Sequence, residues 1–557
     1  MKKIKNKAMK AIAMALALTS LGSIAACGGT KVNNSATTLE IFIGNFGYGY
    51  EWVEEEIKLF KEQDWVKAKY PELNIPTPQH NSERQFPTER ILAGPKANAF
   101  DLLFTCGTSA ASYFNTDNSL GGDGSYYEDL TTMFESNVPG ENIKYKDKML
   151  PSLYADSQTE KLDSSTAIYG TPWVNGFMGL LYNKTLMDEM LGSYEIPRTT
   201  SELSALTTAI KGKTDKKYNS LAGSKDAPTP FISSSKTNYW FDMFRIWWVQ
   251  YEGFESYERY FNGVDELGGR TWENVKQMGR LRGLEALESL IGIEQGNNHA
   301  STNTMEFTTA QAKFFLREGV MMANGDWLEN EMRATSAENP YDDDIRYMRL
   351  PIISSIIEKC STIKTDEALS AVVKAIDENK SYDETKTAYA SAGFGELSQS
   401  DYKKIKEARS VTLGVGGHLA HIPSYSGAKE VAKDFLLFLA TDVACSKFSE
   451  VTGGVSAPFA YDLSKINPTL YNSLSGMHQS RMEIIANGVN MRPNNTFRLY
   501  YLGGLSNIAK YPAVESCFTA QNIKDRKTAQ EIYDADVEYY SKNNQAEWKS
   551  VLTKAGY

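Results

Sequence analysis

Short apolar runs alternate with amphipathic segments along most of this chain. Residues 39–43 form a mostly apolar run that predicts a strand. Residues 44–49 are rich in glycine and predict a turn, and residues 51–63 place Trp52 and Phe60 on one side of a helix. A strand, a turn and a helix in this order are the repeating unit of α/β proteins. The pattern therefore predicts an α/β fold, and the length of 557 residues allows two large lobes.

The alternation continues to the carboxyl terminus. Capping boxes at Thr199–Glu202 and Thr528–Glu531 mark the starts of two helices. The aromatic side chains of residues 238–250 cover too much of a helix for a one-sided surface helix, so part of it should face a groove or another domain. Further strands are predicted at residues 100–104, 169–182, 319–323 and 350–353. Helices are predicted at residues 184–190, 203–210, 238–250, 308–317, 428–440 and 528–540, with inserted surface helices in 357–410 and a glycine-rich crossover at 413–421.

The amino-terminal segment has the order of a secretory signal rather than of a folded element. Lysines precede the apolar run 11–18, which is too short to span a bilayer as a helix. The run ends at Ile24-Ala25-Ala26-Cys27, which is similar to a bacterial lipobox. We therefore expect residues 1–26 to be a signal peptide and Cys27 to be lipidated. If Cys27 is lipidated, residues 27–37 form the lipidated cysteine and a short polar tether to the domain. The alternative is ordinary signal cleavage beside an incidental cysteine.

The charge of the chain excludes nucleic acids as partners. Removing residues 1–26 takes away five lysines and no acidic residue, so the formal net charge moves from -10 to -15. A body this acidic is repelled by phosphate backbones. No later stretch reaches 18 apolar residues, so the lipid anchor is the expected attachment to the membrane.

Motifs for catalysis and for metal binding are lacking in the sequence. There are five histidines, and no HExxH, CxxC, GxSxG or GxxxxGK[ST] pattern occurs. We expect no metal and no cofactor, and we expect the run 342–344 of three aspartates to be a solvated loop. Four cysteines besides Cys27 lie far apart in the sequence: Cys106, Cys360, Cys445 and Cys517. Two interpretations of them stay open, namely disulfide bonds and small buried side chains.

Aromatic residues next to polar residues are the most informative chemical pattern. Sugar rings have an apolar C–H face and a rim of hydroxyl groups, so stacking beside Asp, Asn or Arg suits them. Filling of a core is the alternative for each of these aromatics. Trp327 is the strongest candidate, because it follows the turn-like sequence Asn-Gly-Asp. The pairs are Trp173 with Asn175, Tyr239 and Trp240 with Asp242, Asp326 with Trp327, and Arg498 with Tyr500 and Tyr501.

The order of these segments resembles the family 1 extracellular solute-binding proteins of ABC importers, the maltose-binding-protein-like group. The resemblance runs from about residue 38 to the carboxyl terminus, through individually loose motifs. It is carried by the lipobox, Tyr169–Trp173 running into Gly179–Lys184, the capped helix after Pro197, Gly319–Trp327 (GVMMANGDW), and Ala428–Leu439 with Gly453–Pro458. The segment 357–410 departs from compact members.

The resemblance implies a type II periplasmic-binding-protein-like fold, in which two α/β lobes close like a hinge around a central ligand cleft. It implies crossings between the lobes near 172–178 and 413–420. The first lobe would comprise residues 38–173 and 420–475, and the second would comprise 174–419 and 476–557. The resemblance also implies ligand contacts from Trp327 and Tyr239 and, on weaker matches, from Asn45, Phe46, Thr108 and Tyr500.

Three functions remain open from the sequence. The leading hypothesis is a non-catalytic, monomeric receptor that captures an oligosaccharide outside the cell, remains anchored to the bacterial membrane by Cys27, and delivers its ligand to membrane-spanning ABC permease subunits. A surface glycoside hydrolase or lyase would need a carboxylate pair in the same cleft. The third hypothesis keeps the receptor fold and replaces the sugar by a peptide, a polyamine or another small solute.

Overall fold

The computed structural model describes residues 35–45, 47–81, 90–91, 94, 98–106, 126–224, 226–333, 339–491 and 497–557. Its strands are β1 (Ile41–Gly44), β2 (Gln79–Asn81), β3 (Leu102–Phe104), β4 (Thr159–Glu160), β5 (Thr166–Ala167), β6 (Thr171–Pro172), β7 (Gly176–Asn183), β8 (Thr229–Phe231), β9 (Gly319–Gly325), β10 (Ile345–Met348), β11 (Val411–Val415), β12 (Leu419–His421) and β13 (Val489–Met491).

The helices of the amino-terminal half are α1 (Glu51–Glu62), α2 (Asp64–Lys69), α3 (Thr131–Phe134), α4 (Tyr145–Lys148), α5 (Pro151–Ser157), α6 (Lys184–Leu191), α7 (Thr200–Lys211), α8 (Trp240–Glu252), α9 (Phe254–Asn262) and α10 (Met278–Ile291). They are followed by α11 (Phe307–Phe315), α12 (Leu328–Glu331), α13 (Asp366–Asp377), α14 (Tyr382–Ser391), α15 (Gln399–Ser410), α16 (Lys429–Leu439) and α17 (Asp442–Val451). The last are α18 (Leu463–Ile466), α19 (Pro468–Ser473), α20 (Gly476–Ala486), α21 (Arg498–Tyr501), α22 (Val514–Thr519) and α23 (Ala529–Lys554), which is interrupted at residues 542–545. Short 3-10 helices lie at Lys216–Ala222, Glu273–Lys276, Ile293–Gln295, Ser354–Lys359 and Ile523–Asp525.

Two large sheets organise the described part of the chain, and β4 and β5 form a separate two-stranded sheet. The first has the strand order β2-β1-β3-β12-β6, and the second has the order β13-β11-β7-β9-β8 with β10 also paired to β7. We call the body around each sheet the first and the second lobe. The predicted α/β fold is confirmed, since parallel pairs such as β1 with β3 and β8 with β9 are connected through helices.

The chain crosses between the two sheets through two short connections. Residues 173–175 join β6 of the first sheet to β7 of the second, and residues 416–418 join β11 back to β12. These two connections lie side by side, because β6 pairs with β12 and β7 pairs with β11. A later passage returns the chain from α17, which packs on α1, to β13 of the second sheet.

Each sheet is covered by apolar side chains. The alternation along β1 sends Ile41 and Ile43 into a core with Trp52 and Phe60 of α1, while Phe42 points to the opposite face. In the second lobe α8 packs against α10, β7, β11 and α15, and its tryptophans 240, 247 and 248 are fully buried. The elements that pack on α8 belong to its own lobe, so its aromatic side chains fill the core of this lobe rather than face the expected groove or other domain.

The structure tests several of the local signals directly. Thr528 and Glu531 form the predicted capping box of α23. Thr199 caps α7, but the Glu202 carboxylate accepts from the backbone N–H of Arg198 rather than from that of Thr199. The predicted strand at 350–353 is wrong: the strand is β10, and Pro351, which has no N–H to donate, leads instead towards the 3-10 helix at 354–359.

Candidate functional site

Trp327 lies at the junction of the two lobes. It follows Gly325, the last residue of β9, and its partly buried ring packs against the cores of both lobes. The ring centroids of Tyr239 and Tyr48 are each 6.1 Å from that of Trp327, in edge-to-face arrangements. The predicted residues Trp327 and Tyr239 are thus brought together, and both keep part of their surface accessible.

Asp326 is buried beside Trp327 and both of its carboxylate oxygens are engaged. The hydroxyl of Tyr48 donates to Oδ1 at 2.7 Å, and Nε of Arg481 lies 2.7 Å from Oδ2. Asp326 and Arg481 are each 0% exposed. The charge of the carboxylate is therefore compensated within the protein.

Trp173 and Asn175 occupy the crossing between β6 and β7 and are held by the protein itself. The Trp173 indole donates to the carbonyl of Thr105 at 3.0 Å and stacks on Trp52 with centroids 5.2 Å apart. The side-chain carbonyl of Asn175 accepts from Asn490 at 3.2 Å. Both predicted residues are buried below the junction, and they position the crossing.

Tyr48 is a residue that the sequence reasoning missed. It lies between Gly47 and Gly49, whose positive φ angles of 52° and 74° suit glycine, in the turn after β1. Burial and the neighbouring carboxylate of Asp326 raise the pKa of Tyr48 well above its usual value, so its hydroxyl remains a donor. An aromatic residue in a glycine-rich turn at the carboxyl end of a parallel strand is the signal that would have identified it.

Space for Tyr48 is provided by a small residue on the other lobe. A Cβ atom at Gly176, the first residue of β7, would lie 2.6 Å from the Tyr48 hydroxyl. Rings on both crossings complete the surroundings, with Trp173 at 5.9 Å and His418 at 5.4 Å between centroids.

Three predicted site residues have other surroundings. Trp240 is fully buried and meets Phe231 with centroids 4.7 Å apart, so it offers no face to a ligand in this structure. Arg498 donates to the carbonyl of Leu162 at 3.0 Å and pairs with Glu160 at 3.2 Å, which fastens the β4–β5 hairpin. Tyr500 lies against Phe261 at 5.7 Å.

The remaining predicted positions are only partly described. Asn45 is half-buried, and its backbone N–H donates to the carbonyl of Asn81 at 2.6 Å. Phe46, Thr108 and Cys27 lie outside the described residues.

A cavity of about 530 Å³ opens beside α12, and Trp327 is not among the residues that line it. Glu329 and Asn330 of α12 line it, together with Thr452 and the residues 342–344 and 473–477. The prediction that residues 342–344 are all solvated is wrong for Asp343, because its side chain is only 4% exposed and pairs with Arg317 at 2.5 Å.

Metal binding and disulfide formation find no support in the described residues. No group of three or more His, Cys, Asp or Glu side chains there could hold a metal ion. Cys106, Cys360, Cys445 and Cys517 are free thiols, the first three buried, as in the alternative of small buried side chains. His421 is also structural: it is buried against the carbonyl of Tyr169, and burial lowers its pKa to about 4.

Sequence comparison finds no match, whereas structure comparison finds proteins of similar fold. No family model and no curated protein matches the chain. An ABC transporter solute-binding protein from Thermotoga lettingae, bound with α-D-tagatose, matches with a TM-score of 0.55 at 15% identity over 92% of this chain and 100% of that one. The chain has the two-lobed fold of solute-binding proteins.

Two other solved structures share this solute-binding fold. The GacH receptor of Streptomyces glaucescens, solved unliganded and with acarbose, matches with a TM-score of 0.52 at 14% identity, over 91% of this chain and 98% of that one. A structure from a study of xylan utilization by Caldanaerobius polysaccharolyticus matches with a TM-score of 0.54 at 16% identity, over 89% and 98%. None of the helices described here combines the length and apolar character needed to cross a bilayer.

Proposed function

We propose that the chain is a lipid-anchored, extracytoplasmic receptor that captures an uncharged oligosaccharide and delivers it to the permease of an ABC importer. The observation that carries this proposal is the placement of Trp327, partly accessible at the junction of the two lobes with Tyr239 beside it. An indole face binds the apolar C–H face of a pyranose ring, and a second aromatic residue extends the platform.

The charge distribution favours a neutral ligand over a peptide or a polyamine. The carboxylate nearest to Trp327 in sequence is that of Asp326, and it is neutralised by Arg481 and hydrogen-bonded by Tyr48. A cationic ligand would need a carboxylate that is not already paired within the protein, because burying the ligand's charge without a counter-charge is costly. Aromatic faces with compensated charges match the chemistry of a sugar.

The fold supports the same proposal through its neighbours. The solved structures that match include proteins described as bound to tagatose, complexed with acarbose, and binding chitin oligosaccharide. These are binding proteins, and two lobes joined by crossing segments at residues 173–175 and 416–418 allow closure around a ligand. We propose that this chain likewise binds without bond cleavage and acts as a monomer.

Anchoring and delivery rest on the amino-terminal sequence. Residues 1–26 would be removed as a signal peptide, Cys27 would carry the lipid, and residues 28–36 would leave the domain free to move beside the membrane. We retain the lobe boundaries 38–173 with 420–475 and 174–419 with 476–557. The ligand contacts of Asn45, Phe46 and Thr108 also remain proposals.

A thermal-shift screen of the chain lacking residues 1–27 tests this proposal. The panel contains neutral oligosaccharides, amino acids, peptides and polyamines. A ligand that binds only the folded state stabilises it by about 2.7 kcal/mol at a hundredfold excess over Kd. We expect a selective rise in melting temperature with one class of glycan and unchanged glycan after incubation. A rise only with a charged solute would overturn the sugar, and shortened glycan products would overturn the receptor in favour of a hydrolase or lyase.

A further inference from the structure

We propose that Tyr48 is a positioning residue that holds the two lobes in their present arrangement and thereby sets ligand affinity without contacting the ligand. This inference rests on the proposed receptor function. Tyr48 belongs to the turn after β1 of the first sheet, and Asp326 follows β9 of the second sheet. Their hydrogen bond of 2.7 Å joins the lobes across 278 positions of sequence.

The acceptor of this bond is rigidly held. Asp326 is fixed by the ion pair with Arg481, and its backbone N–H donates to the carbonyl of Phe177 on β7 at 3.1 Å. A hydrogen bond to a charged, fully buried acceptor is stronger than a solvated one. The Tyr48 hydroxyl therefore has a well-defined partner only when the lobes are arranged as they are here.

Arg481 connects this contact to the segment that must bend when the lobes move. One guanidinium nitrogen donates to the backbone carbonyl of Asn175 at 2.5 Å, and the other donates to Ser456 at 2.8 Å. Asn175 lies in the crossing between β6 and β7, and its own backbone N–H donates to the carbonyl of Ser456. Tyr48, Asp326 and Arg481 thus form one network that runs from the first lobe through the second to the crossing.

The ring of Tyr48 reinforces the same role. It contacts Trp173 and His418, one from each crossing, and it contacts Trp327 of the second lobe. Its side chain is 2% exposed, which leaves no surface for a sugar to stack on. A second bond between the lobes lies nearby, where the Asn330 side chain donates to the carbonyl of Gly47 at 2.5 Å.

Small-angle X-ray scattering of the ligand-free protein tests this role without any ligand. Tyr48→Phe removes the hydroxyl that bonds to Asp326. Tyr50→Phe is the matched control, because Tyr50 lies in the same turn but stacks on His80 instead. We expect the distance distribution of Tyr48→Phe to broaden, and that of Tyr50→Phe to match the wild type. Coincident curves for all three proteins would overturn the proposal.

Calorimetric titration supplies the second readout. The affinities of two oligosaccharides of different length that bind the wild type should both change in Tyr48→Phe, by the same factor of roughly tenfold, because the lost bond acts on the lobes and not on the sugar. A factor that depends on ligand length would overturn the positioning role and indicate direct contact.

Asn330→Ala serves as a second variant if Tyr48→Phe does not fold. It removes the nearby bond from α12 to the carbonyl of Gly47 and should shift scattering and affinity in the same direction as Tyr48→Phe, and unchanged scattering and affinity would contradict the role. If no sugar binds the wild type, the proposed function fails, while the scattering comparison still decides the role of Tyr48.

Discussion

Gly325 leaves the space that the indole ring of Trp327 fills. A Cβ atom at position 325 would lie 2.1 Å from Cζ3 and 2.2 Å from Cη2 of that ring. No side chain can approach another so closely, so the glycine is required by the close approach of the ring to its own strand. The last residue of β9 therefore determines where the aromatic face at the junction lies.

Gly325→Ala should displace the Trp327 ring and weaken sugar binding. We expect the loss to equal that of Trp327→Ala, about 1 kcal/mol or more of binding free energy, because both changes remove the same stacking face. Calorimetric titration of the two variants against the same oligosaccharide measures it. Gly325→Ala with wild-type affinity would show that Trp327 does not contact the ligand from this position.

Cys27→Ser should release the protein from the membrane. A thiol is needed for the lipid, and no described helix could serve as an alternative span. Fractionation of the producing bacteria should place the wild type with the membranes and Cys27→Ser in the soluble fraction. Cys517→Ser, a partly exposed thiol elsewhere in the chain, is the control and should remain with the membranes. Membrane-bound Cys27→Ser would contradict the lipid anchor.

Asp536→Ala should strongly destabilise the second lobe. Asp536 on α23 pairs with Arg280 on α10 at 2.5 Å, and both side chains are 0% exposed. Removing the carboxylate leaves a buried guanidinium without its counter-charge, which costs about 3 to 5 kcal/mol. Urea denaturation measures the free energy of unfolding. The exposed Asp534, also on α23, provides the control Asp534→Ala. An equal loss of unfolding free energy in the two variants would contradict the stabilising role of the buried pair.

Glu515→Gln should remove a pH dependence of stability. Burial raises the pKa of Glu515 to about 8 from a value of 4.5, against the lowering effect of hydrogen bonds from Ser233 and the backbone of Trp240. Between about pH 4.5 and 8 the folded state keeps this proton while the unfolded state releases it. The free energy of unfolding therefore falls as the pH rises through that window, by at most about 1.4 kcal/mol per pH unit.

Denaturation at pH 5 and pH 8 provides the measurement for Glu515. The wild type should lose stability relative to Glu515→Gln as the pH is raised, because the amide cannot ionise. The exposed Glu266 provides Glu266→Gln, which should follow the wild type. Parallel curves for Glu515→Gln and the wild type would contradict the raised pKa.

Elements with local signals could be predicted from the sequence. The capping box of α23 is set within four residues, and the turn that presents Trp327 is set by the glycine two positions before it. The crossing at residues 416–418 was indicated by glycines between two apolar runs. Such features depend on residues that are adjacent in the sequence, so the sequence pattern predicts them.

The partners of buried polar groups could not be predicted, because they come from distant segments. Asp326 meets Tyr48 and Arg481, which lie in different elements, and no spacing in the sequence links the three. Trp240 and Arg498 look like ligand contacts beside their polar neighbours, yet packing against Phe231 and the β4–β5 hairpin decides their surroundings. Adjacency of an aromatic and a polar residue does not determine which of them is exposed.

Isothermal titration calorimetry of the chain lacking residues 1–27 against uncharged oligosaccharides tests the central claim most directly. The account predicts saturable binding of one ligand per chain, retained in the surface variant Tyr471→Ala and weakened at least fivefold in Trp327→Ala. Binding of a peptide or polyamine with no heat from any sugar, or sugar affinity that is the same in Trp327→Ala and the wild type, would contradict it.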